Sequence, residues 1–274
     1  MLRFDMARLT ALYLLLAACG GGGGFPDAPE PDARPSGKFS VDWSVIDSNS
    51  SPLSCDRIAA QSMTVLMHNR EFEGGSTEAF GCNTGSGTSQ SVIAGTYDMD
   101  FELSGTFGVL QRAPSQHSIE IVPNTTTRLA ALTFQIDATG ALALTLASGK
   151  QGGNCEPVNQ NPPGAGIDTM SITLNHASDS TACEPITLNI AAGTTRPATV
   201  YTINCTTPVD APCIEADQTI SAAGVPSDAY TIRVRGKIAN KVCWSNDDSI
   251  QLPPLGKVLM RTLNLGYQST TTGC

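Results

Sequence analysis

Two stretches of this chain, each of roughly 100 residues, present the same succession of short alternating strands and cysteines. Phe39-Ser-Val-Asp-Trp43-Ser-Val45 leads to Cys55, and Ala141-Leu-Ala-Leu-Thr-Leu146 leads to Cys155. Met63-Thr-Val-Leu-Met-His68 matches Met170-Ser-Ile-Thr-Leu-Asn-His176 with one residue of slippage. Cys82 precedes the Tyr97–Leu103 segment as Cys213 precedes the Tyr230–Arg235 segment. Each copy then closes with an alternating segment, a turn and a last strand: Ser118–Val122 and Arg128–Ile136 in the first, Ser249–Leu252 and Val258–Leu265 in the second. A side-chain period of two puts one face of each segment in a core and the other in water. Gly, Pro, Asn and Ser clusters separate the segments, Thr, Ser, Ala, Ile and Val are abundant, and no long stretch carries a 3.6-residue apolar period. The expectation is an all-β chain of two tandem β-sandwiches, residues 38–138 and 139–274.

The cysteines follow the repeat. Nine are present, and setting Cys19 aside leaves eight, which allow 105 pairings. If Cys55 corresponds to Cys155 and Cys82 to Cys213, then Cys55–Cys82 and Cys155–Cys213 are one bond made twice. The second copy is longer between its pair, and the excess near 181–212 reads as an insertion closed by Cys183–Cys205. Cys243 and Cys274 remain to fasten the tail. The alternative pairs chain neighbours, Cys155 with Cys183 and Cys205 with Cys213.

The first residues carry an address. Arg3 and Arg8 precede an apolar run from Leu9 to Ala18, and Leu16-Ala17-Ala18 are followed by Cys19 and five glycines. A basic start, a short apolar stretch and small residues before the processing point describe a secretory signal over residues 1–18. Asp5 is foreign to such a leader, and Met6-Ala7-Arg8 makes a cleaner start. The stretch is too short to cross a hydrocarbon core, which needs roughly 20 residues as a helix. With cysteine at the junction, the segment resembles the lipobox of bacterial lipoproteins. The resemblance implies that Cys19 becomes the first mature residue and is held in the membrane by acyl chains, with palmitate among them. Gly20 stands where an aspartate would retain some lipoproteins in the inner membrane, which implies the outer membrane of a Gram-negative cell envelope. Two or three acyl chains suffice for a stable anchor. Residues 19–37 read as a disordered Gly/Pro-rich tether, glycines followed by a proline-spaced run that spans roughly 50 Å when extended.

A second resemblance concerns the sandwiches. Ile93-Ala94-Gly95-Thr96-Tyr97 resembles the small-Gly-x-Tyr turn-to-strand motif of carboxypeptidase-regulatory-like and transthyretin-like domains, in which the chain turns at glycine and tyrosine opens a core strand. The second copy has Pro226-Ser227-Asp228-Ala229-Tyr230, with no glycine before the tyrosine. The resemblance implies immunoglobulin-like or prealbumin-like sandwiches, which act as accessory or binding modules more often than as catalysts.

Chemistry-bearing patterns are missing from the sequence. Zinc needs three or four converging ligands, with close pairs along the chain. His68, His117 and His176 stand in no HxH, HxxxH or CxxC arrangement, so no metal ligand and no cofactor is nominated. No GxSxG elbow occurs, the even cysteine count leaves no thiolate nucleophile, and neither Gly20–Gly24 nor Gly81–Gly87 has the strand and helix of a phosphate loop. Ser178-Asp179-Ser180 and Asn246-Asp247-Asp248-Ser249 are oxygen-rich but lack the spacing of a calcium loop. The net charge is −9, and removing the leader's +1 leaves −10, which disfavours nucleic acid and anionic lipid as partners. Asp98, Asp100 and Glu102 form an acidic ladder where the second copy carries Arg233 and Arg235. These faces either dock on one another or are solvated separately. Trp43 reads as core. Trp244 either packs on the Cys243 disulfide or forms an exposed platform for a ligand such as a sugar ring. The expected role is non-catalytic: a lipid-anchored structural or binding protein of the cell envelope, with an envelope protein or glycan as partner. A carbohydrate-binding or adhesin-like module is the alternative, and an envelope hydrolase the remote one.

Overall fold

The computed structural model describes residues 34–207, 209–270 and 274. Cys19, the leader and all but the end of the tether lie outside the described residues. A 3-10 turn at Cys82–Thr84 is the one helical segment among those described; the rest is strand, turn and loop. The fold is all-β, two sandwiches in tandem.

The first sandwich contains β1 (Ser36–Asp47), β2 (Ala60–Asn69), β3 (Gly75–Gly81), β4 (Ser86–Thr88), β5 (Val92–Ile93), β6 (Gly95–Gly105), β7 (Gly108–Ile121), β8 (Thr126–Arg128) and β9 (Leu132–Ile136). One sheet runs β3-β2-β6-β7; the other gathers β4, β5, β8 and β9 around β1. The second contains β10 (Thr139–Ala147), β11 (Thr169–His176), β12 (Thr187–Ile190), β13 (Thr199–Thr202), β14 (Ala211–Pro212), β15 (Ile220–Pro226), β16 (Ala229–Ile238), β17 (Lys241–Gln251), β18 (Val258–Asn264) and β19 (Gly266–Tyr267). Its sheets run β13-β12-β15-β10-β18 and β14-β11-β16-β17-β19.

The central strands repeat in topology. The opening strand of each copy lies parallel to the closing one, β1 on β8 and β9 and β10 on β18. The other sheet is built on antiparallel β2-β6-β7 in one copy and β11-β16-β17 in the other. Period-two patterning fills two cores. Phe39, Val41, Trp43, Met63, Val65, Met99 and Phe101 pack in the first. Leu142, Leu144, Leu146, Ile172, Leu174, Ile232 and Val234 pack in the second. The insertion supplies the hairpin β12–β13, which widens the second sandwich beyond β15.

Details recur at matched positions. Tyr97 and Tyr230 are buried, and each hydroxyl donates to the carbonyl four residues earlier, Ile93 and Pro226, at 2.8 Å in both copies. Gly37 and Gly140 lie at equivalent places on the opening strands; a Cβ there would collide with the carbonyl of Val122 or of Pro253. Ser36 and Gly37, assigned from composition to the tether, pair with Ile93 and Val92 and belong to β1.

Only Asp137 and Ala138 separate the sandwiches, and both are strapped. The amides of Leu255 and Ser227 donate to the Asp137 and Ala138 carbonyls at 2.9 and 2.7 Å. The Arg57 carbonyl of the first sandwich accepts from Ser227 Oγ (3.2 Å) and Gln251 Nε2 (3.1 Å), and Lys257 Nζ donates to Phe107 O at 3.0 Å. Leu255 packs against the first core. β1 runs toward this junction and β10 away from it, so the sandwiches stand head to tail.

Candidate functional site

Four ionisable side chains, His176, Glu184, Asp228 and Arg57, meet at that junction. His176 ends β11, where the ladder places it opposite Tyr230. Its Nδ1 lies 3.0 Å from Asp228 Oδ2 and its Nε2 3.1 Å from Glu184 Oε2. The three side chains are about one-fifth exposed. Arg57, arriving from the first sandwich, approaches Asp228 Oδ2 at 3.7 Å. The Tyr230 ring lies beneath the imidazole, centroids 4.8 Å apart. Burial, with the nearby charges of Glu184 and Asp228, pushes the Tyr230 phenol well above its ordinary range, so its hydroxyl stays a donor to Pro226.

Comparison of the copies explains the site. On the ladders Asn69 faces Tyr97 as His176 faces Tyr230. Two residues before each tyrosine stand Gly95 and Asp228. The absence of glycine from the second turn therefore supplies the carboxylate that meets His176 and Arg57. Sequence reasoning gave His176 no chemical role and singled out none of Asp228, Glu184 and Arg57; the missing glycine before Tyr230 was the available signal. Chemically the group can hold a proton between two carboxylates. Its hydrogen bonds include no serine, threonine or cysteine nucleophile beside the imidazole.

A second polar cluster is structural. Glu215 is 8% exposed and accepts from the amides of Asn154 (3.0 Å) and Cys155 (3.2 Å). The Asn154 side chain donates to Leu146 O and Ile214 O, and Gln218 Oε1 accepts from the Glu215 amide. These bonds satisfy the backbone of the long β10–β11 loop beside a disulfide, which is what buried polar groups require.

The sulfurs pair as Cys55–Cys82, Cys155–Cys213, Cys183–Cys205 and Cys243–Cys274, the set given by aligning the repeats rather than the neighbour-pairing alternative. Trp244 is not an exposed platform. It is 3% exposed, its Nε1 donates to Ala165 O at 3.1 Å, and Tyr267 covers it at 5.2 Å. Cys243 and Trp244 are buried in succession, so this part of β17 does not alternate. Trp43 is likewise core, donating to Cys82 O.

The charge ladders find partners within their own sandwiches. Asp98 meets His117 and Arg70, Asp100 meets His68 and Ser115, and Glu102 meets Arg112. Arg235 forks onto Asp247, and that hydrogen bond holds the Asp247 carboxyl below its usual range. The oxygen-rich loops are spent in the same way. The Thr181 hydroxyl and amide hold the Asp179 carboxyl low, and Asp248 faces Arg261 at 3.5 Å. No group of three or more metal-ligating side chains converges among the described residues. Two concavities are shallow: one of about 210 Å³ beside Trp43 and the Cys55–Cys82 bond, and one of about 340 Å³ between Asn189, Val200 and Ser221.

No family model and no curated protein matches the chain. Among solved structures it is similar to the Bacillus anthracis TIE protein, with 10% identity and a TM-score of 0.36, covering 83% of this chain and 34% of that one. It is similar to the major pilin of Streptococcus pyogenes, with 10% identity and a TM-score of 0.28, covering 84% and 98%. For the shaft pilin SpaA of Lactobacillus rhamnosus GG the figures are 6%, 0.27, 85% and 99%. The chain thus spans about a third of the TIE protein, and likewise only 26% of a leucine-rich repeat protein from Bacteroides thetaiotaomicron.

Proposed function

We propose that this chain is a lipid-anchored, non-catalytic spacer of the bacterial cell envelope. Acyl chains on Cys19 hold it to the outer membrane of a Gram-negative cell, and two coupled sandwiches carry its far end away from the lipid. The observation that carries the spacer reading is the junction. A link of two residues is hydrogen-bonded by the second sandwich, and Arg57 and Phe107 of the first accept further bonds across the boundary. Such a joint restricts bending, a property that a series of freely hinged domains lacks. The chain also begins its first strand at the end remote from the junction, where a tether would attach. The concavities beside Trp43 and between Asn189, Val200 and Ser221 are shallow, which suits a supporting role better than turnover of a small substrate. The anchor rests on the Leu16-Ala17-Ala18-Cys19 motif.

Metabolic labelling with palmitate tests the anchor. The parent protein is expected to take up label and to sediment with membranes, and Cys19→Ser to lose both. An unlabelled parent, or a Cys19→Ser protein that sediments unchanged, overturns the anchor. Saturable binding of a defined glycan or small molecule to the soluble sandwiches would overturn the spacer reading.

A further inference from the structure

We propose that His176 is a proton-operated clasp at the junction, closed when the imidazole is charged and loosened when it is neutral. Both ring nitrogens face carboxylate oxygens, at 3.0 and 3.1 Å. A carboxylate only accepts, so both contacts are hydrogen bonds only when both nitrogens carry protons. The neutral ring has one N–H. It serves either Asp228 or Glu184 and turns a lone pair toward the other.

The charges around the ring come from every element packed on it. Asp228 lies in the turn before β16, Glu184 and Asp179 in the segment between β11 and β12, Tyr230 on β16, and Arg57 on the first sandwich. With the ring charged, its cation and Arg57 balance Asp228 and Glu184. With the ring neutral, that pair of acids is left with Arg57 alone. Asp228 is shared between His176 and Arg57, so the state of the ring reaches the contact that joins the sandwiches. The first copy lacks the device: Asn69 and Gly95 occupy the two positions, and neither titrates.

Raising the pH through the range in which histidine gives up its proton is therefore expected to loosen the clasp.

Ring ¹⁵N spectra of the mature chain identify His176 by its loss in His176→Asn, the residue found at that place in the first copy. At about pH 5.5 both nitrogens are expected to be protonated. Urea unfolding followed at Trp244 compares wild type with His176→Asn. Between about pH 5.5 and about pH 8 the wild-type unfolding constant is expected to rise about tenfold relative to the variant, the scale of one lost charge-assisted hydrogen bond. Asp228→Asn and Glu184→Gln, which keep shape and remove one acid each, should each diminish that pH dependence, and they serve if His176→Asn does not fold. A ring with one bare nitrogen facing a carboxylate at low pH, or identical pH profiles in wild type and the variants, overturns the proposal.

Discussion

Removing one oxygen atom from each copy tests whether the repeat is energetic as well as geometric. Tyr97→Phe and Tyr230→Phe retain the buried ring and delete a hydroxyl that donates at 2.8 Å to Ile93 O or Pro226 O. No apolar burial is lost, because the rings are 4% and 0% exposed and phenylalanine fills the same space. What remains is a part-buried carbonyl deprived of its donor, costing about 1 kcal/mol. At a urea slope of about 1–3 kcal/mol per molar, the midpoint falls by roughly 0.3–1 M. The chain has two tryptophans, Trp43 in the first core and Trp244 in the second, which allows each sandwich to be followed by itself. In a Trp244→Phe background, Tyr97→Phe should lower the Trp43 transition. In a Trp43→Phe background, Tyr230→Phe should lower the Trp244 transition by a similar amount. Midpoints unmoved in both, or a shift in one copy and none in the other, would refute the equivalence of the two corners.

Two further outcomes follow from single positions. Gly140→Ala drives a methyl group into the Pro253 carbonyl, a backbone atom that cannot swing aside, and should cost about 1–3 kcal/mol in thermal or urea unfolding; an unchanged stability would mean the strands part more easily than their ladder implies. Arg235→Gln removes the hydrogen bond that depresses the Asp247 carboxyl, so its titration by carbon-detected NMR should move upward toward the ordinary aspartate range; the Arg235–Asp247 contribution is present above that range and fades as pH falls, and an unmoved titration refutes the assignment of cause.

The alternating segments were legible because one face of each enters a core: Phe39, Val41 and Trp43, then Met99, Phe101 and Leu103. The disulfides were legible only through the repeat, since spacing alone leaves many pairings open. β7 was read at its final residues alone. It extends from Gly108, and register shifts opposite Tyr97, Met99 and Leu103 spoil the period on which reading a strand depends. Trp244 stayed open between a buried and an exposed role for the same reason, lying beside buried Cys243 near a shift at Gly236/Lys237. The junction site was the least visible. His176, Glu184, Asp228 and Arg57 come from separate segments and meet only because β11 pairs with β16 and the link at Asp137 is short. No local pattern encodes that meeting, although the missing glycine before Tyr230 marked the place.

The parallel pairing of each opening strand with its closing strand has a mechanical consequence. Tension along the chain is applied to the first sandwich at Ser36, the start of β1, and leaves it at Ile136, the end of β9. The two strands are thereby pulled in opposite directions along their lengths, and their hydrogen bonds resist in shear, sharing the load instead of opening one after another like a zip. β10 and β18 repeat this geometry over seven paired residues. Load applied between the two ends of such a sandwich thus meets the parallel ladder lengthwise.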